Sequence, residues 1–272
     1  MNKNILRKIF QIAVYIFAII GFVLVSGFFA VRFGLTNTKG IIDIQSEEFR
    51  KLGEESTEAG PWSEGEEWQN FSSAIRKDEA VIKDVEEKTG VSSRLILSMV
   101  AVEQLRLYHT ERQTFKELFK PLKILGTQTQ FSWGIAGIKE STAIEIEGHL
   151  KNKDSLYYPG KAYENLLDFK TPDISQERFY RLTDYKDRSY QYLYVALFLK
   201  ELEAGWKKSG FDISDRPEIL ATLFNIGFAN SNPKVDPQIG GAEIGIKGKD
   251  YSFGRLAGEV YYSEELTDIF PH

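Results

Sequence analysis

The alternation of apolar and polar positions changes character twice along the chain. From Ile9 to Val31 the sequence IFQIAVYIFAIIGFVLVSGFFAV carries no charge. A run of about 20 apolar residues suffices for a helix to cross the hydrocarbon core of a bilayer. This segment therefore predicts a single N-terminal membrane-spanning helix. Residues 36–68 show little apolar periodicity, and GEESTEAGPWSEGEEW (53–68) is rich in Glu and Gly. A charged linker of this kind repels itself and extends. Beyond residue 69 the spacing turns helical. Phe71, Ile75, Val81, Ile82 and Val85 recur among charges, as one face of a helix requires. Gly90 is placed to end that helix, and Ser92 or Ser93 to cap another running to about Tyr108.

The same pattern predicts helices over 112–125 (interrupted at Pro121), 142–150, 161–169, 173–182, Ser189–Trp206, from Pro217 to Phe224, and over Phe253–Ile269. Residues 126–138 and 229–250 read as loops rich in Gly, Pro or Asn. No alternating run is long enough for a large sheet. The expected architecture is mainly α, with an anchor over 1–35, an acidic linker over 36–68 and a folded domain over 69–272.

Composition narrows the function. Of 272 residues, 42% are apolar and 27% charged, the balance of a globular chain. With no Cys, disulfides and thiolate chemistry are excluded. The three His, at 109, 149 and 272, argue against a His-rich metal site, and no metal or cofactor is expected. Lys3, Arg7 and Lys8 precede the apolar run. The positive-inside rule then puts the N-terminus in the cytoplasm and the domain outside, in a single pass. A cleaved signal peptide has a shorter apolar core and a small-residue cleavage site, and Ser26–Ala30 offers no such site. Without the four basic residues before position 33, 30 Lys+Arg face 39 Asp+Glu. That acidic excess argues against nucleic acid as a partner.

Candidate chemistry starts at SMVAVEQLRLY (98–108). Glu103 shares a helix side with Ile96, Val100 and Leu107 and lies near the negative end of the helix dipole. Both conditions favour the neutral acid, the form that protonates a glycosidic oxygen. The alternative is a Glu at the rim of a core helix, reaching water. In FSWGIAGIKESTA (131–143), Gly134 and Gly137 allow close backbone approach to a sugar, or form an ordinary turn. In ATLFNIG (221–227), Asn225 either orients Glu103, contacts an acetamido group, or ends its helix. The tyrosines between 185 and 194 either stack on sugar faces or pack half-buried.

Taken in order, these three stretches resemble the lysozyme-like lytic transglycosylases, the superfamily of soluble lytic transglycosylases and goose-type lysozymes. Arg94, Leu95 and Glu103 match its first motif. Ser132, Gly134, Thr142 and Ala143 match its second, and Ala221, Asn225 and Gly227 its third. The resemblance spans roughly residues 75–265. It implies a lysozyme-like α+β domain with little sheet, in which Glu103 is the catalytic acid. Ser132, Gly134, Gly137, Phe224, Asn225 and Tyr261 would bind substrate, with Tyr262 competing with Tyr261 for the last role. The reaction implied is cleavage of the β-1,4 bond between N-acetylmuramic acid and N-acetylglucosamine in peptidoglycan by a single carboxyl group. The partners implied are glycan strands, with the bilayer held through residues 9–31 and envelope assembly proteins left open. The chain departs from the pattern at Gln104 (usually Ser), Gly137 (usually Gln), Glu140 (usually Pro) and Phe224 (usually Tyr). The gap from Glu103 to Ser132 is also longer than usual. An inactive lysozyme-like wall-binding or scaffold protein is the alternative.

Overall fold

The computed structural model describes residues 3–32, 40–43, 60–109 and 132–272. The helix expected over 112–125 lies outside them. Helix α1 runs Lys3–Arg32. Strand β1 (Gly40–Asp43) follows, and then α2 (Glu66–Ile75), α3 (Glu79–Thr89) and α4 (Ser93–His109). A short hairpin, β2 (Ser132–Trp133) and β3 (Ile138–Lys139), leads into α5 (Glu140–Lys151). Next come α6 (Ile174–Thr183), α7 (Ser189–Lys208) and α8 (Pro217–Ile226). Strands β4 (Ile239–Ile246) and β5 (Lys249–Ser252) precede the last helix, α9 (Phe253–Tyr262). The described chain is mainly helical with little sheet.

Local signals explain most boundaries. Gly90 ends α3 in the left-handed region, with φ 68°, where glycine carries no Cβ penalty. The Ser92 hydroxyl accepts the Leu95 N–H at 3.2 Å and starts α4. Pro217 opens α8, where a missing N–H costs nothing. Ser252 caps α9 by accepting from Arg255 N–H at 3.2 Å.

The structure departs from the sequence reading in several places. The helix expected over 69–89 is two helices joined by a 3-10 turn at Arg76–Asp78. The one expected over 161–169 shrinks to a 3-10 turn at Lys161–Tyr163. The last helix stops at Tyr262. The stretch 229–250, read as loop, holds β4, which pairs antiparallel with β1 (Gly40↔Ala242 to Asp43↔Ile239) and with β5 (Glu243↔Ser252 to Ile246↔Lys249). Glycines at 240, 241 and 245 dilute the alternation that marks a strand.

The folded body also begins before residue 69. Trp62 is completely buried and Trp68 nearly so, packed edge to face 4.7 Å apart. Their indole N–H groups donate to Glu259 (3.2 Å) and Glu265 (2.9 Å) at the far end of the chain. Two helices form the centre. From Ser93 to Arg106, every α4 residue except Gln104 is buried, and α7 is buried without a break from Gln191 to Leu199. A helix apolar on nearly all sides belongs inside the protein. Helix α9 packs on α4, α8 and β4.

Helix α1 is 30 residues long, and most of its described side chains are exposed. Counted over the described residues, no helix is long and apolar enough to cross a membrane.

Candidate active site

Glu103 lies toward the C-terminal end of α4 and is 2% exposed. Among the described residues, it lines neither of the two clefts described below. Its carboxylate is held between two partners. From its own helix, Arg106 donates Nε–H to Oε2 at 2.9 Å and Nη2–H to Oε1 at 2.5 Å. The i,i+3 spacing puts both side chains on one helix face. This fork-on-carboxylate contact is the strong, charge-assisted geometry of an ionised acid with a guanidinium. Arg106 is itself 6% exposed, so the buried carboxylate meets a buried cation that compensates its charge.

The second partner is the hairpin. Gly137 has φ 62°, and a Cβ there would overlap the Glu103 carboxylate. Glycine is needed for both reasons. The carboxylate occupies the space that a side chain at 137 would take.

Two carboxamides fix the hairpin turn from opposite helices. Ile135 C=O accepts from Gln104 Nε2 at 2.6 Å, and Ile135 N–H donates to Gln191 Oε1 at 2.8 Å. Gln191 Nε2 in turn donates to Asp184 C=O at 2.6 Å. Gly134, with φ 61°, lies so close to Gln191 and the Leu182 carbonyl that a Cβ would strike both. The departure from the family pattern at Gln104 thus acquires a physical role, as half of a clamp. Sequence reading missed Gln191 and Arg106. The signals were present, a polar residue inside an apolar helix and a cation three positions after Glu103. Neither says which way a side chain turns.

The other expected site residues separate into different settings. Ser132 pairs in register with Lys139 through the backbone. Asn225 Oδ1 accepts Ala242 N–H at 2.8 Å, and one turn earlier Thr222 Oγ1 accepts Gly240 N–H at 3.1 Å. Both side chains hold alternate N–H groups of β4, and Gly227 rather than Asn225 caps α8. Phe224 is a core residue, not a sugar platform. It is 8% exposed, with its ring 5.1 Å from Phe198 and 6.3 Å from Phe253. Tyr261 is removed from Glu103. Its carbonyl accepts from Arg94 Nε at 2.9 Å, near the start of α4. Nine positions separate Arg94 from Glu103, about 13 Å along the helix axis. Tyr261 and Tyr262 line a separate cleft of about 390 Å³ with Leu95, Lys200, Glu203 and Pro217.

A groove of about 290 Å³ runs beside the hairpin, lined by Phe71, Val100, Gln104, Tyr108, Ile135 and Arg188 among others. It follows the Gln104 side of α4, and Glu103 does not line it. The tyrosines of α7 are structural. Tyr192 and Tyr194 are fully buried and donate to Asp78 (2.6 Å) and Glu147 (2.5 Å). Burial holds both phenols well above their ordinary pKa. Among the described residues, no group of His, Asp or Glu is arranged to hold a metal ion. Comparison with protein families, curated proteins and solved structures finds no match to this chain.

Proposed function

We propose that the chain is a membrane-anchored peptidoglycan lytic transglycosylase that uses Glu103 as its single catalytic acid. The observation that carries this reading is the meeting of Glu103, at the end of a buried helix, with Gly137 of a glycine-bearing hairpin. Glu103 matches the first motif and Gly137 lies within the second, at a position where the chain departs from the usual Gln, and the two are in contact across 33 intervening residues. In the reaction, Glu103 protonates the bridging oxygen of the β-1,4 bond. It then takes the proton of the muramyl 6-hydroxyl as that oxygen closes on the anomeric carbon, giving a 1,6-anhydro end. Helix α1, preceded and entered by Lys3, Arg7 and Lys8, is the anchor in this reading. It keeps the N-terminus in the cytoplasm and confines the domain to wall within reach of its tether.

The test is mass spectrometry of purified sacculi digested by the full chain. Anhydro-ended muropeptides are expected from the wild type and none from Glu103→Gln, whose circular dichroism should be unchanged. Equal release by both proteins would remove Glu103 from the mechanism. A second reading, a lysozyme-like domain that binds wall without cutting it, draws on the burial of Glu103 and its pairing with Arg106. Sacculus binding with no soluble product from the wild type would favour it.

A further inference from the structure

We propose that Arg106 is a positioning residue that keeps Glu103 in a resting ion pair, and that this pair must open before Glu103 can act on a glycosidic bond. The proposal rests on the reading of Glu103 as the acid. Three observations converge on it. Both carboxylate oxygens are engaged by one guanidinium. Both side chains are buried, so water does not compete for the contact. The hairpin closes the remaining side, because Gly137 packs directly against the carboxylate. Arg106 makes a further interaction besides this pair.

The proton balance sets the order of events. A carboxylate gripped at both oxygens by a guanidinium is an acceptor and has no proton to give. As the guanidinium withdraws, Glu103 takes a proton from solvent. Its O–H bond then breaks toward the bridging oxygen while the anomeric C–O bond breaks and its electron pair stays on the leaving oxygen. The regenerated carboxylate next accepts the proton of the 6-hydroxyl as the new C–O bond forms. Glu103 ends this step protonated, and it releases that proton to solvent as Arg106 recaptures the carboxylate. The charge of Arg106 therefore opposes the first half of the cycle.

The experiment uses the full chain on purified sacculi, with steady-state release of soluble muropeptides as the readout. Wild type, Arg106→Lys, Arg106→Gln and Glu103→Gln are compared at neutral pH. Opening the pair means breaking a charge-assisted contact, and each step of about 1.36 kcal/mol taken off a barrier is tenfold in rate. Arg106→Gln should raise kcat by about tenfold with KM unchanged. Arg106→Lys keeps the charge but loses the fork, and should fall between wild type and Arg106→Gln. It also guards against misfolding, since loss of the arginine leaves a buried charge without its partner. Lower turnover in both variants, or turnover equal to wild type, overturns the proposal while Glu103 keeps its role as acid. Undiminished release by Glu103→Gln overturns that role and the proposal together.

Discussion

Arg94 and Arg106 lie twelve positions apart on α4, both buried, and their guanidinium groups meet different chemistry. Arg94 reaches the end of α9. It donates to the carbonyls of Tyr261 (2.9 Å) and Val260 (2.8 Å), and also to those of Ser263 and Glu265. Those around Tyr262 are the carbonyls a helix end leaves without internal partners, so Arg94 caps α9 from another element. Burial brings its guanidinium down to about 10, and it stays charged at neutral pH. Arg106 instead meets the Glu103 carboxylate. Carbonyl acceptors carry no charge to lose, so the first contact is a fastening. In the proposal above, the second contact opens during turnover. Two like residues on one helix would then serve permanence at one end and change at the other.

The largest expected effect tests the permanent end. Arg94→Met strips four backbone carbonyls of their donor. At 1–3 kcal/mol for each buried polar group left unpaired, partly relieved by relaxation, the loss should be about 4 kcal/mol or more. Chemical denaturation reads it, and hydrogen exchange should show early loss of protection around 260–265. Stability within 1 kcal/mol of wild type would make Arg94 no fastening at all.

A smaller effect of opposite sign is expected at Glu201. This residue is completely buried in α7, and neither carboxylate oxygen has a hydrogen-bond partner among the described residues. Burial pushes it up to about 10. The folded state then holds a proton that the unfolded chain releases above about 4.5, so stability declines as pH rises from there toward 10. Glu201→Met should stabilise the fold at pH 7 by on the order of 2 kcal/mol and flatten the decline. A melting temperature that keeps the wild-type pH dependence would exclude this account. Glu201 and Glu103 are both buried carboxyls, and among the described residues the second has a counter-charge and the first has none.

The smallest effect concerns the hairpin. Gln104→Ala removes one of the two carboxamides on Ile135 and should cost about 1 kcal/mol. Turnover on sacculi should fall more than that stability loss explains, because Gly137 and Glu103 lose their registration. Unchanged turnover would mean that Gln191 alone sets the turn.

How much of this was legible in the sequence depended on the range of the interaction. The end of α3 and the helices α4, α7 and α8 were readable because their apolar spacing and their caps at Gly90, Ser92 and Pro217 are local. Strand β4 was hidden. Its glycines weaken the alternation, and two of its N–H groups are served by Thr222 and Asn225 from another element. Trp62 was hidden inside an acidic stretch, since its burial depends on α9 nearly two hundred positions away. At the site, the type and position of Glu103, Gly134 and Gly137 were visible. Whether the carboxylate faces a cleft or an arginine is decided by side-chain direction, which spacing does not carry. The resemblance also carried Phe224 and Tyr261 into a site that the folded chain does not assemble around Glu103.

The tryptophan contacts near residue 60 have a mechanical meaning. Trp62 and Trp68 bind Glu259 and Glu265, and Arg76 forks onto Asp268 at 2.5 and 3.0 Å. A pull on the chain at Gly60 therefore loads these three cross-links and, through them, α9 and the turn that follows it. Arg94 stands next in that line, and Glu103 lies about 13 Å further along the same helix. Tension arriving from the N-terminal side meets the β1–β4 pairing first; what passes it is borne by this rivet near residue 60, and the carboxylate sits on the far side of both.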